Sequence, residues 1–209
     1  MSHIIFGSYN TTGKFIIAPY EIPMPKVQTN YVSIPGRNGM LDLSESYGTV
    51  KYSNRSIAIT MYAVGDYDAV VSELVNAVHG KSINITFSKD RSFFYVGRVD
   101  ISGIAKHNGY CQLSVSVNAE PYKLKQSETT KSITGNGTLT LTNLAMPVVP
   151  SITATAAATL ACTIGGVAKS FSVPTGTTML PELVLPAGNL AVTITTSGKV
   201  TFTYREGAL

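Results

Sequence analysis

Apolar and polar residues alternate along most of this chain, and this alternation strongly limits what it can fold into. Ile57, Ile59 and Met61 are separated by single small or polar residues, and the same pattern recurs over 111–117 and 191–195. Successive side chains of a β-strand point to opposite faces, so each run predicts a strand with one buried face. Turn residues separate the runs, which predicts a mainly β fold of short antiparallel strands.

One segment has helical spacing instead. It predicts a helix over 66–79, with Asp66 as the N-terminal cap and Gly80 as the stop. A strand, a helix, a hairpin and another strand follow one another here, so the first part of the chain is predicted to be an α+β domain with one covering helix. The buried stripe of the helix is predicted to contain Tyr67, Val70, Val71, Leu74 and Val78.

The composition changes near residue 125. Residues 1–125 contain 12 Lys/Arg and 9 Asp/Glu, whereas residues 126–209 contain 4 and 3. The second part is rich in Thr, Ser, Ala and Gly, with turn signals about every ten residues. We therefore predict an N-terminal domain over 1–125 and a small β-sandwich over 126–209. The low complexity of 153–163 leaves local disorder as the alternative for that segment.

The overall charge and the cysteines exclude some classes of function. The net charge is only +4 and the basic residues are scattered, which disfavours a nucleic-acid-binding domain. The sequence has neither a long apolar run nor a signal-peptide pattern, so we expect no membrane anchor. Cys111 and Cys162 fall in different predicted domains, and we expect both to be free thiols.

Catalytic and metal-binding patterns are weak throughout. Gly80-Lys81-Ser82 resembles the end of a phosphate-binding loop, but the upstream glycine position is Val75 and the segment ends a helix. His3 and His107 have no Cys or His partner at metal-ligand spacing, and His79 fits a role at the helix C-terminus. We predict no catalytic residue, no metal, no cofactor and no enzyme activity.

The stretch 34–43 predicts a hairpin that carries an arginine. Pro35 fixes φ, Gly36 permits a turn with positive φ, and Asn38-Gly39 is typical of tight hairpin turns. Arg37 lies between these turn residues, with five hydrogen-bond donors in a planar group. Ten of the eleven tyrosines lie in the first part, and Tyr and Arg together favour a protein-contact surface over a catalytic one.

Six motifs in this order resemble the distal tail protein family (Dit, baseplate hub) of long-tailed bacteriophages or prophages. The resemblance covers nearly the whole chain, although 145–185 matches only in composition. The motifs are IPGRNGMLDL at 34–43, VKYSNR at 50–55, NAVHGK at 76–81, YVGRV at 95–99, PYK at 121–123 and GKVTFTYREGAL at 198–209.

The resemblance implies a structural virion protein at the phage tail tip, assembled in the host bacterial cytoplasm. The N-terminal domain would form a homohexameric ring that joins the tail tube protein to the tail-tip hub (tail-associated) protein. DNA would cross the ring only as passing cargo, and baseplate accessory proteins are further candidate partners. The second domain would be a galectin-like β-sandwich, and its short length argues against an inserted receptor-binding module.

The resemblance and the hairpin together identify candidate interface residues. We expect these residues to contact a neighbouring subunit or the hub protein. The main alternative is a carbohydrate-binding adhesin module in the second domain, although the absence of Trp weakens it. A hydrolase acting on cell walls is a more distant alternative. The candidate interface residues are Pro35, Gly36, Arg37, Asn38, Gly39, Arg55, His79, Lys81 and Arg98.

Overall fold

The computed structural model describes residues 2–46 and 48–209, and the chain divides into two compact units. The units are Met1–Pro121 and Tyr122–Leu209. The boundary therefore lies just before the segment 123–125, which the sequence placed in the first domain. These residues pair with the C-terminal strand of the second unit, Lys123 opposite Ala208 and Leu124 opposite Gly207.

In its described part, the first unit has one main antiparallel sheet, one helix and a separate two-stranded ribbon. The sheet order is β2-β1-β7-β8-β9-β6-β3, and β4 pairs only with β5. The elements are β1 (Ile4–Phe6), β2 (Tyr9–Asn10), β3 (Ile16–Ile17), β4 (Tyr31–Ser33), β5 (Met40–Asp42), β6 (Arg55–Val64), α1 (Asp68–Val78), β7 (Ser82–Phe87), β8 (Phe93–His107) and β9 (Tyr110–Ala119).

The predicted alternation of buried and exposed residues is present in the central strands. Ile57, Ile59 and Met61 of β6 are buried, and their cross-strand partners in β9 are Val117, Val115 and Leu113, which are buried as well. The helix contributes Val71, Leu74 and Val78 to the same core. The mainly β fold class is confirmed, and the single helix covers one apolar face of the sheet.

One prediction about the helix and one about β8 are wrong. The helix begins at Asp68 with Tyr67 as its N-terminal cap, and no side chain caps it, so Asp66 does not have the predicted role. The glycines at 103 and 109 predict a turn over this segment from the sequence, but most of the segment is strand, because β8 continues to His107. A β-bulge between Ile101 and Gly103 absorbs the irregularity, which is the usual meaning of a glycine inside a strand.

The second unit consists of two four-stranded antiparallel sheets that enclose one apolar core. The sheet orders are β11-β18-β13-β16 and β12-β17-β14-β15. The strands are β10 (Lys123–Lys125), β11 (Thr129–Thr134), β12 (Gly137–Asn143), β13 (Ser151–Ala154), β14 (Ala158–Ile164), β15 (Val167–Val173), β16 (Gly176–Met179), β17 (Gly188–Thr196), β18 (Lys199–Tyr204) and β19 (Gly207–Ala208).

This unit decides one alternative that the sequence left open and corrects one expectation. The segment 153–163 is not disordered, because it forms parts of β13 and β14 with Ala154, Ala158 and Leu160 buried. The sequence also predicts one of the short strands of this domain over 182–185, but in the structure this segment makes only an isolated bridge between Leu185 and Val148, although Leu183 and Leu185 reach the core. The one helix in the described part of the chain is not long and apolar enough to cross a membrane.

Gly97 in β8 allows close approach of β9, which leads to a prediction. A Cβ at this position would lie 2.8 Å from Val117 Cγ1 and 2.9 Å from the Asn118 carbonyl oxygen. Because the backbone of β9 cannot yield without breaking its ladder, we expect Gly97→Ala to reduce the free energy of unfolding by about 1–3 kcal/mol. Urea denaturation followed by circular dichroism measures this change.

Gly103 in the same strand is the matched control for Gly97. A Cβ there would lie 3.8 Å from the nearest atom, in Ser114, which is an ordinary contact. Gly103→Ala should therefore change the unfolding free energy by less than about 1 kcal/mol. Equal losses of unfolding free energy in the two variants would show that the close approach of β9 does not cause the destabilisation by Gly97→Ala.

Candidate assembly interface

A long hairpin extends between β3 and β6 and carries the predicted arginine turn. We call residues 26–44 and 48–53 the hairpin arm. At its base, Gln28 N donates to Lys51 O and Ser53 N donates to Lys26 O, each at 2.8 Å. Further out, β4 pairs with β5, from Tyr31 opposite Asp42 to Ser33 opposite Met40. The arm is thus held together by its own backbone ladder.

Most side chains of this ribbon are exposed, including large apolar ones. All three residues of β4 are exposed, as are Met40 and Asp42 of β5. Met40 is 63% exposed and Tyr31 is 54% exposed, and Val27 and Val32 are exposed as well. A two-stranded ribbon is only marginally stable alone, and contiguous exposed apolar side chains mark interaction surfaces. The arm therefore has the character of a contact element.

The tip of the arm is a six-residue loop over 34–39. Arg37 N donates to Ile34 O at 3.1 Å, with Pro35 and Gly36 at the two central positions and Gly36 at φ +81°. These features define a type II turn. Only glycines have positive φ among the described residues, so Asn38-Gly39 does not form the predicted tight primed turn, because both primed turn types need a positive φ at the first central residue.

Arg37 and Asp42 have different surroundings within the arm. The Arg37 side chain is exposed and makes no hydrogen bond or ion pair with the described part of the chain. Hydrogen bonds from the side chain and backbone N–H of Ser44 hold the pKa of Asp42 below its usual value. Ser44 Oγ also accepts a hydrogen bond from Asn30 N at 2.8 Å, so this pair joins the two sides of the hairpin.

Arg55 has a different position from the one that sequence analysis suggested. It is only 3% exposed, its guanidinium donates to Pro121 O, and it lies over the Tyr95 ring at 5.2 Å from the ring centroid. Burial lowers the pKa of Arg55, and the nearby Tyr95 acts in the opposite direction. The structure therefore assigns Arg55 to internal packing between the start of β6 and the end of the first unit.

The other three candidates form one cluster at the C-terminal end of the helix. Lys81 Nζ donates to the carbonyls of Asn76 and Ala77 at 2.9 and 2.8 Å, and Arg98 donates to Gly80 O at 2.5 Å. Lys81 satisfies carbonyl groups that the last helical turn leaves unpaired, and Arg98 satisfies the carbonyl of Gly80 just after the helix. His79 Nδ1 accepts a hydrogen bond from the backbone N–H of Ile101 at 3.1 Å, which attaches the helix end to β8.

Sequence analysis did not predict the apolar surface of the arm. The relevant signal was present, because Tyr31 and Val32 are adjacent and cannot both face one core from a single strand. The three prolines at 19, 23 and 25 also exclude a central strand before the arm. Both features indicate a strand pair outside the main sheet.

Other candidate sites are less well formed. No cluster of three His, Cys, Asp or Glu residues that could hold a metal ion occurs among the described residues. An open depression of about 430 Å³ on the second unit is lined by small and polar residues such as Ala161, Thr163 and Asn189. None of its lining residues is aromatic, so it offers no platform for stacking a sugar ring.

The comparisons with known proteins bear on the fold. No protein-family model and no curated protein matches this sequence. The crystal structure of the Dit protein (gp 19.1) of phage SPP1 does match over 100% of both chains, with a TM-score of 0.74 and 17% identity. This chain has the Dit fold. The resemblance inferred from the six motifs is thereby confirmed in structure, and SPP1 Dit is described as a paradigm of the hub adsorption apparatus of phages that infect Gram-positive bacteria.

The Dit fold places two arginines of this chain in opposite environments, which gives a prediction. Arg55→Ala should lower the unfolding free energy by about 2–4 kcal/mol, because it removes buried packing and leaves the Pro121 carbonyl without its donor. Arg37→Ala, which removes the same side chain from an exposed turn, should change it by less than about 0.5 kcal/mol. Urea denaturation at low protein concentration measures both, and comparable losses would contradict the assignment.

Proposed function

We propose that this chain is a non-enzymatic structural component of a phage tail tip. In this role it forms a homohexameric ring that joins the tail tube protein to the tail-tip hub protein and encloses part of the DNA channel. The full-length match in fold to SPP1 Dit supports a place in the tail tip. The main observation in favour of a ring is the exposed apolar surface of the hairpin arm.

The arm fits a contact with a neighbouring subunit. Among the described residues its strands pair only with each other, so each outer edge has free backbone groups that a strand of another chain can use. Inserting one subunit's arm against a different surface of the next subunit is a heterologous contact, which closes into a ring when the rotation fits. The tip residues Pro35, Gly36, Arg37, Asn38 and Gly39 would then lie at this contact.

The remaining candidates take different parts in this proposal. His79, Lys81 and Arg98 are exposed at the helix end and can face the hub protein or a neighbouring subunit while Lys81 caps the helix. Arg55 acts indirectly, because it is buried beside the base of the arm. The scattered charges of the first unit suit a channel through which DNA passes without binding, since clustered cations would hold the phosphates.

The further parts of the proposal concern partners and location. Baseplate accessory proteins are additional partners, and the second unit, with its two packed four-stranded sheets, would be the galectin-like domain. The ring would be assembled in the host bacterial cytoplasm, and the protein would then be located at the tail tip of the virion.

The ring is tested by removing the exposed arginine from the tip of the arm. Arg37→Ala should strongly reduce the hexamer fraction in native mass spectrometry, because the Arg37 side chain makes no hydrogen bond or ion pair with the described residues of its own chain and its five donors are available to a neighbour. Circular dichroism and the urea midpoint should stay as in the unsubstituted chain. Negative-stain electron micrographs should show fewer rings at equal protein concentration.

Lys89→Ala is the matched control, since Lys89 is a cation in another exposed turn of the same unit. This variant should form rings normally. If Arg37→Ala also forms rings normally, Arg37 is a solvated turn residue and the tip is not the contact. If the unsubstituted chain stays monomeric at high concentration and virions contain no ring of it, the ring itself is wrong.

A further inference from the structure

The second unit has four sheet edges, and they are not equivalent. The edge strands are β11 and β16 in one sheet and β12 and β15 in the other. Each has a neighbour on one side only, so its other side presents backbone N–H and C=O groups to the surroundings. Such edges invite pairing with further chains, and natural proteins usually block them with charges, short strands or bends.

Three of these edges carry a recognisable block. Lys131 of β11 lies opposite the buried Phe202, so it is on the core-side face at the rim of the sheet. Lys169 of β15 has the same relation to the buried Cys162. An inward-facing lysine on an edge strand would be buried unpaired by an added strand, which makes that addition unfavourable. The remaining edge strand, β16, is only four residues long (Gly176–Met179), so it offers little length for pairing.

The β12 edge has no such block. It is a seven-residue strand without charge or proline, and it pairs with β17 along its whole length. Thr138, Thr140 and Thr142 are exposed, while Leu139 and Leu141 point toward the core. A long, uncharged and regular edge is the kind that accepts another strand.

The sequence of this edge is also self-complementary. Residues 138–142 read Thr-Leu-Thr-Leu-Thr in either direction. Antiparallel pairing of two such strands about Thr140 places threonine opposite threonine and leucine opposite leucine, with no charge on either side. The unit already uses cross-strand threonine pairs, since Thr153 Oγ1 and Thr177 Oγ1 are 3.0 Å apart.

We propose that β12 pairs with β12 of a second copy of this chain, antiparallel and about a two-fold axis at Thr140. The pairing continues the sheet β12-β17-β14-β15 from one copy into the other. The same contact at β11 would bring Lys131 of both copies to the edge, so charge favours β12. Thr142 O accepts a hydrogen bond from Tyr204 Oη at 2.6 Å, and a carbonyl oxygen has a second lone pair that can accept another donor.

This contact is independent of the ring proposed above. It is isologous, with the same strand on both copies, whereas the contact of the hairpin arm joins two different surfaces. It also involves only the second unit. Loss of the β12 contact and loss of the ring are therefore separate outcomes, and neither result decides the other.

Cysteine cross-linking in the full chain tests the register. Two Thr140 residues face each other in the proposed pair, with Cβ atoms about 5 Å apart. Thr140→Cys should therefore form a disulfide-linked dimer under mild oxidation. Thr138→Cys and Thr142→Cys are the matched controls, because position 138 of one copy faces position 142 of the other. Each should stay largely uncross-linked alone, whereas a mixture of the two should give the mixed dimer.

A charge at the centre of the edge provides a second test. Thr140→Lys places two cations opposite each other and should weaken the association of the two copies about tenfold in analytical ultracentrifugation. Thr195→Lys adds the same charge to the same sheet face on the central strand β17 and should leave the association unchanged. Both variants should keep the circular dichroism spectrum of the unsubstituted chain.

These variants distinguish the β12 pair from association through another surface. Self-cross-linking at 140 with a mixed dimer from 138 and 142, and weakening by Thr140→Lys alone, would support the pair. Absence of a dimer at 140 would overturn it, as would equal self-cross-linking at all three positions. Unchanged association of Thr140→Lys would overturn it as well. The unsubstituted chain gives the background from Cys111 and Cys162, which are both buried.

Discussion

A strand at the end of a sheet leaves one row of backbone N–H and C=O groups unpaired, and much of this molecule follows from how its edges are treated. The main sheet of the first unit ends in β2 and β3, each only two residues long, so little edge is available there. The hairpin arm instead has two open edges and exposed apolar side chains. In the first unit, edges are thus short where no contact is proposed and left open where we propose assembly.

The sequence predicted best the elements that bury one face. A strand such as β6 or the helix over Asp68–Val78 must repeat apolar residues at its own period, so the pattern is visible in the sequence. The continuation of β8 through Gly103 was not predictable in this way, because it depends on the ladder with β9. The short β16 was missed for the same reason, since Gly176–Met179 has no apolar alternation and is held by β13.

The candidate interface shows the same division between local and tertiary information. Arg37 and Arg55 both follow residues that are typical of turns. Nothing in the sequence indicates that one of these arginines is exposed and the other buried. In the structure one is exposed at the tip of the arm and the other is buried on Tyr95. The turn at Gly36 could be predicted from the sequence, because glycine easily adopts the positive φ that this position has. Burial could not, because it depends on strands distant in sequence.

The low charge content of the chain is consistent with assembly through strand edges. Only 13% of the residues are charged, about half the usual proportion. A contact made by backbone groups and small or apolar side chains does not require the desolvation of ion pairs, which often cancels their attraction. Its specificity comes from register, since a shift of one residue turns every side chain to the wrong face. A palindromic strand such as β12 allows one centred register with itself, and the two lysine-blocked edges of the same unit disfavour the competing pairings.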